Sequence, residues 1–226
     1  MKITIINYGL SNLLSVERAF LHFGADVEIT SDPAVVAAAC ALVLPGVGAF
    51  EDGMKGLDSL GLTDAIKAAA AKGVPLLGIC LGMQMLFDES DEFGLHTGLG
   101  LIPGRVEKIL PQTVDGAPQR VPNIGWNALT PAGNAIAAVA GFDAAPISFD
   151  GTALANVPEG GECYFVHSFE AKPTSNADRL ADTLYGGRRV CAAAQKGNVL
   201  GTQFHPEKSG PVGLSIIKKY LALCEG

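Results

Sequence analysis

Apolar positions in the first half of the chain fall into short unbroken runs separated by stretches of helical period. Ile3 to Asn7 is a β-branched run, followed by a Tyr8-Gly9 turn and by Ser11 or Asn12 as a helix cap. Leu13, Val16, Phe20 and Phe23 then recur at helical spacing, and Gly24 closes that helix. Val27 to Thr30 reads as a second strand and Pro33 to Ala39 as a short Ala-rich helix. Ala41 to Leu44 is apolar without alternation, as expected of an inner parallel strand covered on both faces. Leu62 to Lys72 predicts a helix, with Thr63 near its start and Gly73 after its end. It leads into a fourth apolar run, Leu76 to Ile79, and Leu81 to Phe87 reads as the start of another helix. Strands alternating with helices predict an α/β fold with a doubly wound, mostly parallel sheet.

Beyond Phe87 the pattern changes. Asp88 to Glu92 is an acidic cluster, read as a solvated helix end or loop. Gly98 to Gly104 and Val106 to Leu110 read as extended segments joined by Pro-Gly turns, in antiparallel pairing. The region 131–161, with recurrent Gly and Pro and an Ala-rich run from Ala132 to Ala140, reads as a surface excursion without a motif. Glu162 to Glu170 is a strand candidate by its aromatic and β-branched content. Val190 to Ala194 and Val199 to Phe204 bracket the turn Lys196-Gly197-Asn198 as a hairpin, and Val212 to Leu223 forms a closing helix.

Composition narrows the class. The 226 residues are 48% apolar and 17% charged, a globular composition suited to a single domain spanning 1–226. A net charge of −7 without a dense basic run points away from nucleic acid and from anionic membranes. Five cysteines, an odd number without C-x-x-C spacing, argue against a disulfide framework, and four scattered histidines argue against a metal site. With no signal-peptide core and no apolar run of membrane-spanning length, a reducing cytoplasm is the expected location.

Candidate chemistry centres on Cys80. Gly78 and Gly82 flank it at minus two and plus two, the spacing of a strained strand-to-helix elbow that presents a nucleophile. A thiol there faces the first free N–H groups of the next helix, which favours the thiolate. Taken alone, Cys80 reads equally as a small buried residue in a tight turn. Pro45-Gly46-Val47-Gly48 follows another strand, where open α/β sheets place ligands, and its N–H groups are available to an oxyanion. Alone, it is an ordinary Gly-Pro turn. His205 and Glu207 lie two apart, and Pro206 biases His205 toward extended backbone, so imidazole and carboxylate share a face. His167 reads as a ligand, a base or a structural strand histidine.

In combination these segments are more specific. Gly-Ile-Cys-Leu-Gly-Met-Gln followed far downstream by Gln-Phe-His-Pro-Glu resembles the class I glutamine amidotransferases, which have a Cys-His-Glu triad on a flavodoxin-like sheet. Within that class, four further segments resemble the glutaminase subunits of imidazole glycerol phosphate synthase. They are Pro45-Gly46-Val47-Gly48, Val121-Pro122…Gly125-Trp126-Asn127, Tyr164-Phe165-Val166-His167-Ser168 and Phe204-His205-Pro206-Glu207-Lys208-Ser209. The resemblance implies Cys80 as nucleophile, His205 as base and acid, and Glu207 as its orienter. It implies an oxyanion region at Gly46, Val47, Gly48 and Leu81, glutamine held by Gln84, Glu92, His167 and Ser168, and Trp126, Tyr164 and Lys208 near a partner. That partner is the cyclase subunit, a (β/α)8 barrel, in a heterodimer; no cofactor is implied. Other class I glutaminases, and a non-catalytic regulatory subunit of the same fold, are the competing readings. Asn123 stands where the family pattern has His, and Asn7 and Ser11 where it has Asp and Gly. The segment between Trp126 and Tyr164 is longer than the pattern.

Overall fold

In a computed structural model describing residues 1–133 and 148–225, the chain is built on an eight-stranded sheet. Four parallel connections form its inner part. β1 (Lys2–Ile6) pairs with β2 (Asp26–Thr30) on one side and β3 (Leu42–Gly46) on the other, and β4 (Leu76–Cys80) follows β3. The next strands in sheet order are β14 (Val199–Thr202), parallel to β4, then β13 (Arg188–Lys196), β12 (Arg179–Tyr185) and the two-residue β9 (Thr130–Pro131), all antiparallel to their neighbours. Every residue of β3, β4 and β14 is buried, which is why their sequences are apolar without alternation.

Helices cover both faces. Val16 and Phe20 of α1 (Leu13–Leu21) and Ile216, Ile217 and Tyr220 of α6 (Gly210–Cys224) pack on one face against Ile3, Ile5, Val43 and Leu77. The other face carries α2 (Pro33–Ala37), α3 (Phe50–Ser59), α4 (Leu62–Ala71) and α5 (Leu81–Met85), through Val36, Phe50, Leu57, Ile66 and Met83. Each such fully buried side chain contributes about 1.5–3 kcal/mol. No described helix is long and apolar enough to cross a membrane.

Two smaller sheets flank the carboxyl ends of the inner strands. One pairs β8 (Asn123–Ala128) with β10 (Glu162–His167); the other orders β11 (Phe169–Pro173), β7 (Ile102–Lys108), β5 (Phe87–Ser90) and β6 (His96–Thr97). The doubly wound parallel sheet with antiparallel extensions is thus present, with local corrections. The helix after Cys80 stops at Met85, because Leu86 turns out to accept hydrogen bonds from Leu101 and Ile102. The acidic cluster therefore begins on a strand, β5, which pairs parallel with β7, while β7 pairs antiparallel only with β11. The Glu162–Glu170 run is divided at Ser168, where the chain passes from one small sheet to the other. Asn12 occupies the cap position of α1 without a side-chain capping bond. Within the 131–161 excursion, Ala153 and Leu154 return to the core rather than lying on the surface, while most of the Ala132–Ala140 run falls outside the described residues.

Candidate active site

Cys80 ends β4 and caps α5 with φ of 55° and ψ of −109°, a backbone conformation rare outside glycine. Its flanking glycines are required by contact. A Cβ on Gly82 would lie 1.8 Å from the carbonyl oxygen of Leu44, and one on Gly78 would lie 2.8 Å from the carbonyl of Gly82. Strand, elbow and helix therefore meet backbone to backbone. Leu81 opens α5, so its N–H has no acceptor within the helix. Cys80 is only 7% exposed, and that exposure is to a cavity of about 360 Å³, near the lower limit for ligand pockets. Cys163 and Cys191 are buried elsewhere, and burial pushes both thiols up to about 12. A thiolate is disfavoured at both.

His205 lines the same cavity and is 2% exposed. Its Nδ1 donates to Glu207 Oε1 at 2.8 Å, which leaves Nε2 as the basic nitrogen; Nε2 is buried without a closed hydrogen bond among the described residues. Burial disfavours a charged ring, but the Cys80 sulfur and the Glu207 carboxylate outweigh it and raise the imidazole to about 9. The pair does not meet along an extended segment. Pro206 starts a 3-10 turn, Pro206–Lys208, closed by the Lys208 N–H on the His205 carbonyl at 3.0 Å, and this curls Glu207 back beneath the ring. Ser209, buried at the turn's end, donates to the His205 carbonyl at 2.6 Å and accepts the Tyr164 N–H at 2.9 Å, while the His205 N–H donates to the Tyr164 carbonyl at 3.0 Å. This clasp fixes His205 to β10. No role had been assigned to Ser209 from the sequence.

The cavity brings together most of the expected residues: Val47, Gly48, Leu81, Gln84, Glu92, His167 and Ser168 all line it. Gly46 does not. It is the last residue of β3, paired with Cys80, and a Cβ there would lie 2.2 Å from the buried Tyr8 hydroxyl. The Val47 N–H donates to the Leu10 carbonyl at 3.0 Å, so in this conformation it is turned to another acceptor; Gly48 follows it at φ of +107°, a conformation that favours glycine.

Glu92 Oε2 accepts the Phe50 N–H at 2.7 Å and so holds the start of α3, immediately after the Gly48 loop. Burial raises its carboxyl above the ordinary range despite that bond. Gln84 donates to the Phe169 carbonyl at 3.2 Å and to Gln203 Oε1 at 3.0 Å. His167 Nδ1 donates to the Phe169 carbonyl at 2.8 Å, so Nε2 accepts from Asn123 Nδ2 at 3.1 Å, and burial lowers the ring to about 4. The ring is neutral, and Asn123 supplies the donor this tautomer needs. The departure at position 123 thus acts on His167.

Trp126 and Tyr164 are cross-strand partners on β8 and β10 with rings edge to face at 6.0 Å. Trp126 is 51% exposed and Lys208 is exposed on the turn bearing Glu207. Neither lines the cavity.

Residues 4–222 match the family model described as glutamine amidotransferase class-I. The chain is 49% identical over 221 residues to "Imidazole glycerol phosphate synthase subunit HisH 1" of Legionella pneumophila (strain Lens), covering 98% of this chain and 99% of that one. It is 43% identical over 224 residues to "Imidazole glycerol phosphate synthase subunit HisH" of Geobacillus thermodenitrificans (strain NG80-2), covering 99% and 97%. Among solved structures it is similar to "Crystal structure of glutamine amidotransferase", with a TM-score of 0.69, 17% identity and 99% of each chain covered. It is also similar to "Structure of PurLQS from Thermotoga maritima", with a TM-score of 0.68, 18% identity and 98% and 97% covered.

Proposed function

The chain belongs to the glutamine amidotransferase class-I family, and from that premise we propose that it is the glutaminase subunit of an imidazole glycerol phosphate synthase. One observation carries the chemistry: a cysteine in an elbow and a histidine held by a carboxylate line one small cavity. The whole of 1–226 acts as one glutamine amidotransferase domain.

Glutamine enters with its side-chain amide toward Cys80. Glu92 faces its ammonium group, while Gln84 and the backbone at His167 and Ser168 hold the rest. The thiolate adds to the amide carbon, and the carbonyl electrons move to oxygen. The Leu81 N–H, with Val47 and Gly48 once their peptides turn inward and Gly46 as the pivot, stabilises that oxyanion; each such donor lowers the barrier by about 2.7–4 kcal/mol. Protonated His205 gives its Nε2 proton to the departing nitrogen, so ammonia leaves and a γ-glutamyl thioester remains. The neutral ring then takes a proton from water, which attacks the thioester. Glutamate is released and the thiolate–imidazolium pair is restored. Glu207 holds the Nδ1–H of His205 throughout, so that Nε2 is the nitrogen that gives and takes the proton beside the sulfur.

Ammonia passes to the cyclase subunit, a (β/α)8 barrel with which this chain forms a cytoplasmic heterodimer. There it completes imidazole glycerol phosphate and an aminoimidazole carboxamide ribotide. Trp126, Tyr164 and Lys208 face that partner. The Val47 N–H, engaged by Leu10 in the isolated chain, is released to the oxyanion when the ligand-bound cyclase docks.

Glutamate release is measured for the chain alone, with the cyclase subunit, and with the cyclase plus its ribulosyl ligand, each alongside Cys80→Ala. Low activity alone that rises steeply in the complex and is absent in Cys80→Ala is expected. Activity indifferent to the cyclase overturns the assignment to histidine synthesis, and no activity under any condition overturns the enzyme reading.

A further inference from the structure

Gln203 has no assigned part in the chemistry above, yet its side chain reaches the reacting sulfur. It lies just past β14, two residues before His205, and is fully buried. Its N–H donates to the Ala192 carbonyl at 2.8 Å, so the β13 pairing continues through it. Residues two apart on extended chain share a side, which is how the Gln203 amide and the His205 ring both come to Cys80. The Gln203 Nε2 lies 3.8 Å from Cys80 Sγ, within reach for a donor to sulfur, and the Val166 carbonyl oxygen lies 4.0 Å from the same sulfur.

The orientation of this amide is dictated by its neighbour. Gln203 Oε1 accepts from Gln84 Nε2, and Gln84 also donates to the Phe169 carbonyl. Exchanging oxygen and nitrogen in Gln203 would set two donors against each other in a buried site. The nitrogen is therefore held toward the sulfur.

A donor aimed at the anionic form of an acid favours that form. Unlike His205, a carboxamide carries no charge and does not titrate, so its help to the thiolate is the same when the imidazole is neutral. We propose that Gln203 is a further catalytic residue, the fixed neutral donor that stabilises the Cys80 thiolate, oriented by the same Gln84 that walls the glutamine pocket. This rests on the reading of Cys80 as nucleophile. Displacing the thiol–thiolate balance by one pH unit gives tenfold more thiolate, while the sulfur becomes only about threefold less nucleophilic, so attack gains about threefold while thiolate is the minor form.

The test is alkylation of the full chain by iodoacetamide across pH 5 to 10, followed at Cys80 by peptide mass, for wild type, Gln203→Leu and Gln203→Asn. Leu removes the donor, and Asn keeps an amide in the core but falls one methylene short of the sulfur. Exposed Cys40 serves as the internal reference. The expected result is a Cys80 profile displaced upward by about one pH unit with a plateau rate about threefold higher, and an unchanged Cys40 profile. If either variant, cooperatively folded by thermal unfolding, alkylates at Cys80 with the wild-type profile, the proposal is overturned. A Cys80→Ala chain that still releases glutamate would overturn the nucleophile reading instead.

Discussion

Replacing Glu207 by Gln removes the charge that holds His205 protonated while keeping the size and the acceptor of the side chain. The rise of the His205 ring from 6.5 to about 9 corresponds to roughly 3 kcal/mol of preference for the protonated ring in the folded protein. Because the folded value lies above the unfolded one, that stabilisation is fully present below pH 6.5 and is lost as pH rises through about 9. Two groups raise the ring against its burial, the Cys80 sulfur and Glu207. Deleting the Glu207 charge should therefore remove about half of the pH-dependent term, or more, since burial then opposes the charge with one ally gone. Urea unfolding at pH 6.5, 7.5, 8.5 and 9.5 measures this directly. The His205 contribution should cost wild type about 2–3 kcal/mol across the series, and the total loss in Glu207→Gln should be at least about 1 kcal/mol less than in wild type. Titration of unfolded cysteines is common to both chains and cancels in the difference. Equal pH slopes in the two proteins would refute the account of what holds the imidazole charged.

Gly82→Ala should destabilise by at least about 3 kcal/mol, because the added methyl meets the Leu44 carbonyl rather than a movable side chain; a urea midpoint within about 1 kcal/mol of wild type would contradict this. Ser209→Ala should cost about 1–3 kcal/mol, as it strips partners from the buried His205 carbonyl and Tyr164 N–H, and should lower kcat with little change in KM; an unaltered kcat would show the clasp to be dispensable. Gly48→Ala, at φ of +107°, should depress partner-stimulated glutaminase activity far more than thermal stability, and full stimulation in that variant would remove the hinge from the activation step.

What could be read in advance was what depends on neighbours in sequence. The inner strands announce themselves because burial on both faces leaves no polar position, and the elbow because its two glycines and its cysteine are two apart. The turn carrying Glu207 has the same local character, although its path is a 3-10 turn and not a strand. Helix α3 is not legible in the sequence because Gly53 and Gly56 look like breakers. In the fold they are contact points, one against the sulfur of Met85 and the other against the backbone of Tyr8. Strand β12 was hidden for the opposite reason. Its Arg179 and Asp182 look exposed, and they are buried because Asp182 pairs with both Arg179 and Arg189. Gln203 and Ser209 sit inside the motifs around His205, but their partners Cys80 and Tyr164 are 123 and 45 positions away, and only the fold brings them into contact.

The backbone contacts at Gly78 and Gly82 also bear on how such a protein can change over generations. Where main chain touches main chain, side-chain variation has nothing to act on, so drift elsewhere leaves the innermost geometry as it was. That is consistent with superposable architecture at 17–18% identity. Novelty is then confined to the rim, at exposed positions such as Ile124 and Trp126, where a residue can be exchanged without disturbing the elbow. A lineage can in this way refit its outer face while inheriting the interior unaltered.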